Sequence, residues 1–446
     1  MDGGGRILYV PIETRAREFD ARLFLTLKAA AANFQVILAH KLFLAANLKI
    51  LPPGIFAFKT LNVLDAEAMR YARKLGHTII AWDEEGPGQI MPEIYLRSIH
   101  DHAMQYAQMV FAWGEHQAAV LSEKYPHAKD NIRVHGNPRW DLLRPENQNY
   151  FEAEANAIRA RCGRFILMNT NFATYNAVNG FDHIVTVADQ VGAFKFGNKN
   201  DQRILKDIYA FEKSTFESYA AALPALSTAF PEHTIIVRPH PTEKQSIWHD
   251  LTAPYANVKT VYEGGVVPWL LAAEAVIQNS CTTGVEALTL GQPVVSYCRA
   301  QSPLQEWHLA NQVCPRAGDE KSLIEHLRNF ISDRASFAAH HAAGMRTLRK
   351  HISNLDGETS AAAIVNSLVA LCDKLESEGW RFARGFNLPH GFLPYQANDY
   401  QRTKLPPIEP AEIAAHVKRI SKLQNDIPAI MVSHIEVSSF YFRRGK

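Results

Sequence analysis

Short apolar runs rich in β-branched and aromatic residues alternate with helix-period stretches through the first third of the chain. RILYVPI, FQVILAH and HTIIAW read as buried strands, with RLFLTLKAAAA and YLRSIHDHAMQYAQ as helices beside them. VFAWGEHQAAVLSEKY and NIRVHGNPRWDLL continue the alternation, which predicts a predominantly parallel α/β domain. The polar stretch LLRPENQNYFEAEANAIRARCG interrupts it, placing a boundary near residues 145 to 162. RFILMNTN then opens a second series, with a helix around STFESYAAALPALSTAF followed by HTIIVRPHP, NVKTVYEG, VPWLLAAEAVIQNSCTTGVEALTLG and QPVVSYC. Helical patterns dominate from about residue 320, and the aromatic and proline-rich end includes a further helix in PAEIAAHVKRISKLQ. The expected architecture is two α/β domains, residues 1–150 and 151–370, facing a central cleft, with a packed helical and irregular extension over 371–446.

Composition supports two cores rather than one, because 446 residues with 47% in the hydrophobic set exceed what a single domain needs. A formal charge of +2 supplies no global attraction for nucleic acid or an anionic membrane. Five scattered cysteines without a CxxC framework point to reduced thiols and a cytoplasmic setting. The beginning of the chain lacks a signal-peptide core, and no stretch has the length and purity of a membrane span. Peripheral contact at the inner face of the cell membrane stays compatible with this pattern. No GKS or GKT loop, GxGxxG turn or HExxH pair occurs, so P-loop, standard dinucleotide and metal-dependent chemistry are set aside, with no cofactor expected.

Three strand-end stretches carry candidate chemistry. In VRPHPTEK, Arg238 is a candidate contact for the donor phosphate, the prolines on either side of His240 end a strand, and a fixed imidazole there can meet a phosphate or move a proton; an ordinary turn is the competing account. In NSCTTGVEALTLG, the hydroxyls of Ser280, Thr282 and Thr283 precede a helix and suit a phosphate. Glu286 either meets a ribose or closes a capping box with Thr283. AWDEEGPG holds Asp83, Glu84 and Glu85 before a glycine-proline turn, either as a solvated charged loop or as a carboxylate held for reaction. Asn169, Thr170 and Asn171 in NTNFATYN fit nucleotide contact or side-chain caps. Arg15 and Arg17, after the first strand, fit an acidic sugar or helix-surface ion pairs.

Taken together, AWDEEGPG, RPHP and NSCTTG resemble the motifs of bacterial surface-carbohydrate glycosyltransferases, the two-domain sialyltransferase-like and Kdo-transferase-like enzymes of GT-B fold. The resemblance covers most of residues 6 to 310 through short motifs. It implies an acceptor-activating carboxylate at Glu84 or Glu85 beside Gly86, a phosphate contact at His240 and Pro241, and phosphate support at Ser280, Thr282 and Thr283. The implied reaction moves an acidic sugar of nonulosonate or Kdo type from a CMP-activated donor to a hydroxyl of a glycan or lipid-linked glycan. GNPRWD and the glycine-acid helix region also resemble two-domain UDP-sugar epimerases, so a non-hydrolysing UDP-sugar 2-epimerase is the alternative. A noncatalytic nucleotide-sugar sensor is the third reading.

Overall fold

The computed structural model describes residues 6–84, 86, 91–300, 302–303, 308–383, 392–393, 396–424, 426–436 and 438–445. They fall into two compact units, one from residues 1–86, 99–150 and 352–446, the other from residues 87–98 and 151–351.

In the first unit, β1 (Ile7–Ile12), β2 (Gln35–His40), β3 (Ile55–Phe58), β4 (Thr78–Trp82), β5 (Met109–Ala112) and β6 (Ile132–Val134) are parallel and ordered β2-β1-β3-β4-β5-β6. β1 and β2 are buried along their whole length, as expected of parallel strands covered on both faces. The helix Arg15–Ala31 contributes Phe19, Leu23, Phe24 and Leu27 to that core. β3 has only four residues, too short a run to stand out from its surroundings in the hydrophobic pattern. Gly54 lets it lie close to β1, since a Cβ there would meet the Ile7 carbonyl at 2.7 Å.

The second unit contains β7 (Phe165–Asn169), β8 (Thr234–Arg238), β9 (Val258–Thr260), β10 (Ala275–Gln278), β11 (Val294–Tyr297) and β12 (Arg316–Ala317), all parallel and ordered β12-β11-β10-β7-β8-β9. Counted from β7, this is the doubly wound order in which the first and fourth strands flank the switch point. The expected helix around STFESYAAALPALSTAF is part of a longer one, Lys199–Ala229, capped by the Asn198 side chain.

The chain leaves the first unit after Tyr150 and returns to it at Ile352. Residues expected as the end of the second domain and as a separate extension therefore belong to the first unit. Its last strands, β13 (Ile430–Glu436) and β14 (Ser439–Arg444), form a hairpin. β14 pairs antiparallel with β2, at Phe440↔Leu38, to complete an eight-stranded sheet.

GNPRWD fastens this return. The Asp141 carboxylate accepts the Ser360 and Ala361 backbone N–H groups at 2.8 Å each, across 219 and 220 positions. Arg144 donates to the carbonyls of Gly357 and Glu358 at 2.8 and 2.7 Å. Gly136 has φ +72°, and a Cβ there would lie 2.5 Å from the Ser353 carbonyl. Burial pushes the Asp141 carboxyl up to about 6 against the pull of its backbone donors and Arg144. The motif that prompted the epimerase resemblance is architecture in this chain.

Candidate functional site

Parallel strands direct their carboxyl ends to one edge of a sheet, and in the second unit three of the sequence candidates lie on that edge. Asn169 ends β7, Arg238 ends β8, and the loop from Asn279 to Cys281 follows β10. The loops are bonded to one another: the Asn171 side-chain amide donates to the Ser280 carbonyl at 2.7 Å.

Glu243, which the sequence reading passed over, is the hub. Its carboxylate is 1% exposed. One oxygen accepts from the Thr170 hydroxyl at 2.6 Å, the Phe172 N–H at 3.0 Å and the His240 N–H at 3.2 Å. The other accepts from the Trp248 indole at 2.9 Å and the Asn176 amide at 3.2 Å. A buried carboxylate needs this many donors to offset the loss of water. A glutamate three residues after the histidine of RPHPTE is the signal that could have identified it.

His240 is half-buried. Its Nδ1 accepts the Thr242 N–H at 3.3 Å and lies 2.8 Å from the Thr242 hydroxyl, which in a neutral ring puts the proton on Nε2. Pro241 is exposed beside it. Arg238 is turned to a different task. Its guanidinium donates to the carbonyls of Glu263 and Gly264 at 2.8 and 2.7 Å, and burial lowers it to about 10.

Ser280 stands at φ +43°, a left-handed conformation that a serine adopts only when its surroundings hold it there. Asn311 does so: its Oδ1 accepts the Ser280 N–H at 3.1 Å and its Nδ2 donates to the Ser280 hydroxyl at 2.9 Å. Nothing in the local sequence signals Asn311. The helix Thr282–Thr289 is capped at Cys281 without a side-chain cap hydrogen bond, so no capping box joins Thr283 to Glu286. Thr282 and Thr283 are half-buried in its first turn, where a helix presents N–H groups to anions. Glu286 is buried. Gly284 is required by packing, because a Cβ there would meet the Gln278 side chain at 2.7 Å. Asn169 Nδ2 and Asn279 Oδ1, both buried, have no hydrogen-bond partner among the described residues.

Asp83 and Glu84 belong to the first unit and are buried rather than solvated. Glu84 is 3% exposed and ion-paired with the fully buried Arg22, whose guanidinium lies 3.9 Å from the Trp82 ring centroid. The Asp83 carbonyl accepts from the Trp113 indole at 2.8 Å, and the Glu84 N–H donates to the Lys59 carbonyl at 3.1 Å. Glu85 lies outside the described residues.

A second charged group stands at the ends of β1 and β3. Lys59 lies 2.5 Å from Glu18 and 2.9 Å from Glu13, and Lys41 and Lys404 approach Glu13 at 3.6 and 3.4 Å. Burial by itself would raise the Glu18 carboxyl, but Lys59, Arg17 and Arg22 together pull it down. Arg15 is ion-paired with Glu412. Among the described residues no group of three histidine, cysteine or acidic side chains is placed to hold a metal, and no helix is long and apolar enough to cross a membrane.

Two units, one built on six parallel strands extended by an antiparallel hairpin and the other on six parallel strands, each with intervening helices, define a GT-B-like fold of two Rossmann-like domains. No protein-family model matches the chain, and no curated protein matches it in sequence. Solved structures do. The wall teichoic acid polymerase TagF aligns over 83% of this chain and 90% of its own, with 10% identity and a TM-score of 0.51. A putative UDP-N-acetylglucosamine 2-epimerase from Listeria monocytogenes aligns over 86% and 100%, with 11% identity and a TM-score of 0.51. At such identities the likeness is one of fold.

Proposed function

We propose that this chain is an enzyme of nucleotide-activated sugars, with the nucleotide bound at the carboxyl ends of β7, β8 and β10. The observation that carries this reading is the convergence of three loops, distant in sequence, on Glu243 and on the Asn171–Ser280 hydrogen bond. Ligands of doubly wound sheets bind at the switch point, and β7 and β10 flank it.

Each group has a role that its geometry suits. The first turn of Thr282–Thr289 and the hydroxyls of Thr282 and Thr283 receive phosphate oxygens. His240, with its proton on Nε2, donates to a phosphate oxygen and stabilises charge that develops there when the bond to the sugar breaks. Asn169 and Asn171 supply neutral amides for nucleotide or sugar, and Glu286 accepts from ribose. Arg238 acts indirectly, by fixing the loop at Glu263 and Gly264.

Of the finer readings, we put chemistry on a UDP-sugar, with 2-epimerisation as the first reaction to test, ahead of transfer of a CMP-activated acidic sugar to a glycan hydroxyl. Two points support the order. Glu84, one of two carboxylates offered for acceptor activation, is committed to Arg22. One solved structure of like fold is a putative UDP-sugar 2-epimerase. Transfer would instead place an acceptor-activating carboxylate at Glu85.

Titration calorimetry with UDP-N-acetylglucosamine, UDP-glucose, CMP-Kdo and CMP-sialic acid, followed by NMR time courses, tests the proposal. The expected result is saturable binding of a UDP-sugar and its interconversion without an acceptor. Acceptor-dependent release of CMP would restore the transfer reading, and binding of none of the four would sink the nucleotide-sugar proposal.

A further inference from the structure

We infer that Tyr262 is the platform on which the nucleobase stacks, and that the site therefore selects nucleoside diphosphates over monophosphates; this rests on the nucleotide reading above. Tyr262 follows β9, at the same sheet edge as the other loops. The Val261 N–H donates to the Val237 carbonyl at 2.9 Å, so the strand's register runs up to the residue before the tyrosine.

The loop that carries the ring is tied down by hydrogen bonds. Arg238 holds the Glu263 and Gly264 carbonyls, and the buried Trp269 donates its indole N–H to the Glu263 carbonyl at 3.1 Å. Tyr262 is nevertheless 36% exposed, a large aromatic left partly open to solvent on a loop that Arg238 and Trp269 hold by hydrogen bonds. The Arg238 guanidinium lies 5.3 Å from the ring centroid and Trp269 lies on that same guanidinium at 5.7 Å, so one side of the ring is supported from within the unit. Added Cβ atoms on Gly264 or Gly265 would meet nothing within 4 Å, so space adjoins the loop. A flat apolar ring, ordered in advance beside open space, suits a π-stacking ligand: little entropy remains to be lost on binding.

Sheet order supplies the second argument. From β9 through β8 and β7 to β10 is three strand steps, each about 4.8 Å, which separates the Tyr262 loop from the helix that follows β10 by about 14 Å. A base on Tyr262 with its ribose over β8 brings the first phosphate over β7, beside Asn169 and Asn171. A second phosphate completes the span to Thr282 and Thr283. A monophosphate is one phosphoryl unit short of that helix.

The test is titration calorimetry of UDP, UMP and inorganic pyrophosphate with wild type, Tyr262→Ala and Tyr262→Phe, each checked by its melting temperature. We expect Tyr262→Ala to weaken UDP about tenfold or more while pyrophosphate changes by less than about twofold, and Tyr262→Phe to retain UDP within about threefold. Wild type should prefer UDP to UMP by about tenfold or more. Unchanged UDP binding by Tyr262→Ala would overturn the platform, as would an equal loss of pyrophosphate. Equal affinity for UDP and UMP would overturn the selection of diphosphates while leaving the nucleotide reading in place. If wild type bound neither UDP nor the sugar nucleotides above, both readings would fall together.

Discussion

The carboxyl ends of the two sheets solve the same packing problem with different chemistry. In the first unit, carboxylates are answered by cations: Glu84 by Arg22, Glu18 by Lys59, and Glu13 by Lys59, Lys41 and Lys404. In the second, the buried carboxylate of Glu243 is answered by uncharged donors and the buried Arg238 by backbone carbonyls, with neutral amides and hydroxyls beside them. Paired charges satisfy one another and leave little unspent for a ligand. Neutral donors fixed by a hub remain able to turn to an anion, which is why we propose the second edge as the nucleotide site.

Acid should separate the two units most strongly. In the first, burial holds His40, His77 and His416 down at about 4. A folded pKa below the ordinary 6.5 means stability that is complete above pH 6.5 and lost as pH falls through 4, at most about 3 kcal/mol for each ring. Asp141, raised to about 6, works in the opposite sense and offsets about one of the three. In the second unit His308, also near 4, is countered by Glu212, which burial raises to about 7 and whose contribution grows as pH falls. Hydrogen exchange at pH 7, 5.5 and 4.5 should therefore show first-unit peptides losing protection before second-unit ones. Simultaneous loss, or the reverse order, would break the comparison.

Substitution of the two carboxylates sharpens it. Glu84→Gln leaves the buried Arg22 charge without its partner and should cost about 3 kcal/mol in urea unfolding. Glu243→Gln replaces an acceptor of five hydrogen bonds by an amide that can accept only some of them. A loss of about 2 kcal/mol is expected. Only Glu243→Gln should also weaken nucleotide binding, because it releases Thr170 and the His240 backbone. A Glu84→Gln protein of wild-type stability that had lost turnover would instead make Glu84 a reacting group. The smallest effect belongs to Thr283→Ala, which removes a hydroxyl bonded to the Cys281 sulfur at 3.1 Å. Stability should change by about 0.5 kcal/mol or less, while nucleotide affinity should drop measurably if that hydroxyl meets phosphate.

Much of the fold was readable because strand and helix periods are local. RILYVPI, FQVILAH, HTIIAW and HTIIVR each declare a buried parallel strand by composition alone. β3 escaped because four residues carry too little pattern, and β13 because its half-buried and exposed residues imitate an irregular end, leaving the buried start of β14 without a visible partner in the sequence. The loops after β7, β8 and β10 were also readable as candidates, since asparagine, histidine, serine and threonine at strand ends are unusual enough to mark a position.

What those residues do there was another matter. Arg238 reads as a phosphate ligand and AWDEEGPG as either a solvated turn or a carboxylate held for reaction, and neither stretch names the clamp on Glu263 and Gly264 or the pairing of Glu84 with Arg22. A side chain's partners come from remote parts of the chain: Arg22 for Glu84, Asn311 for Ser280, Thr170 and Asn176 for Glu243. By itself the sequence determined the α/β alternation and the loops rich in asparagine, histidine, serine and threonine at strand ends, because each depends on neighbours within a few residues. Only the tertiary structure decided that the chain returns to its first sheet, that GNPRWD fastens that return, and that Glu84 is paired while Glu243 organises the loops, because burial and pairing are properties of groups that meet only after folding.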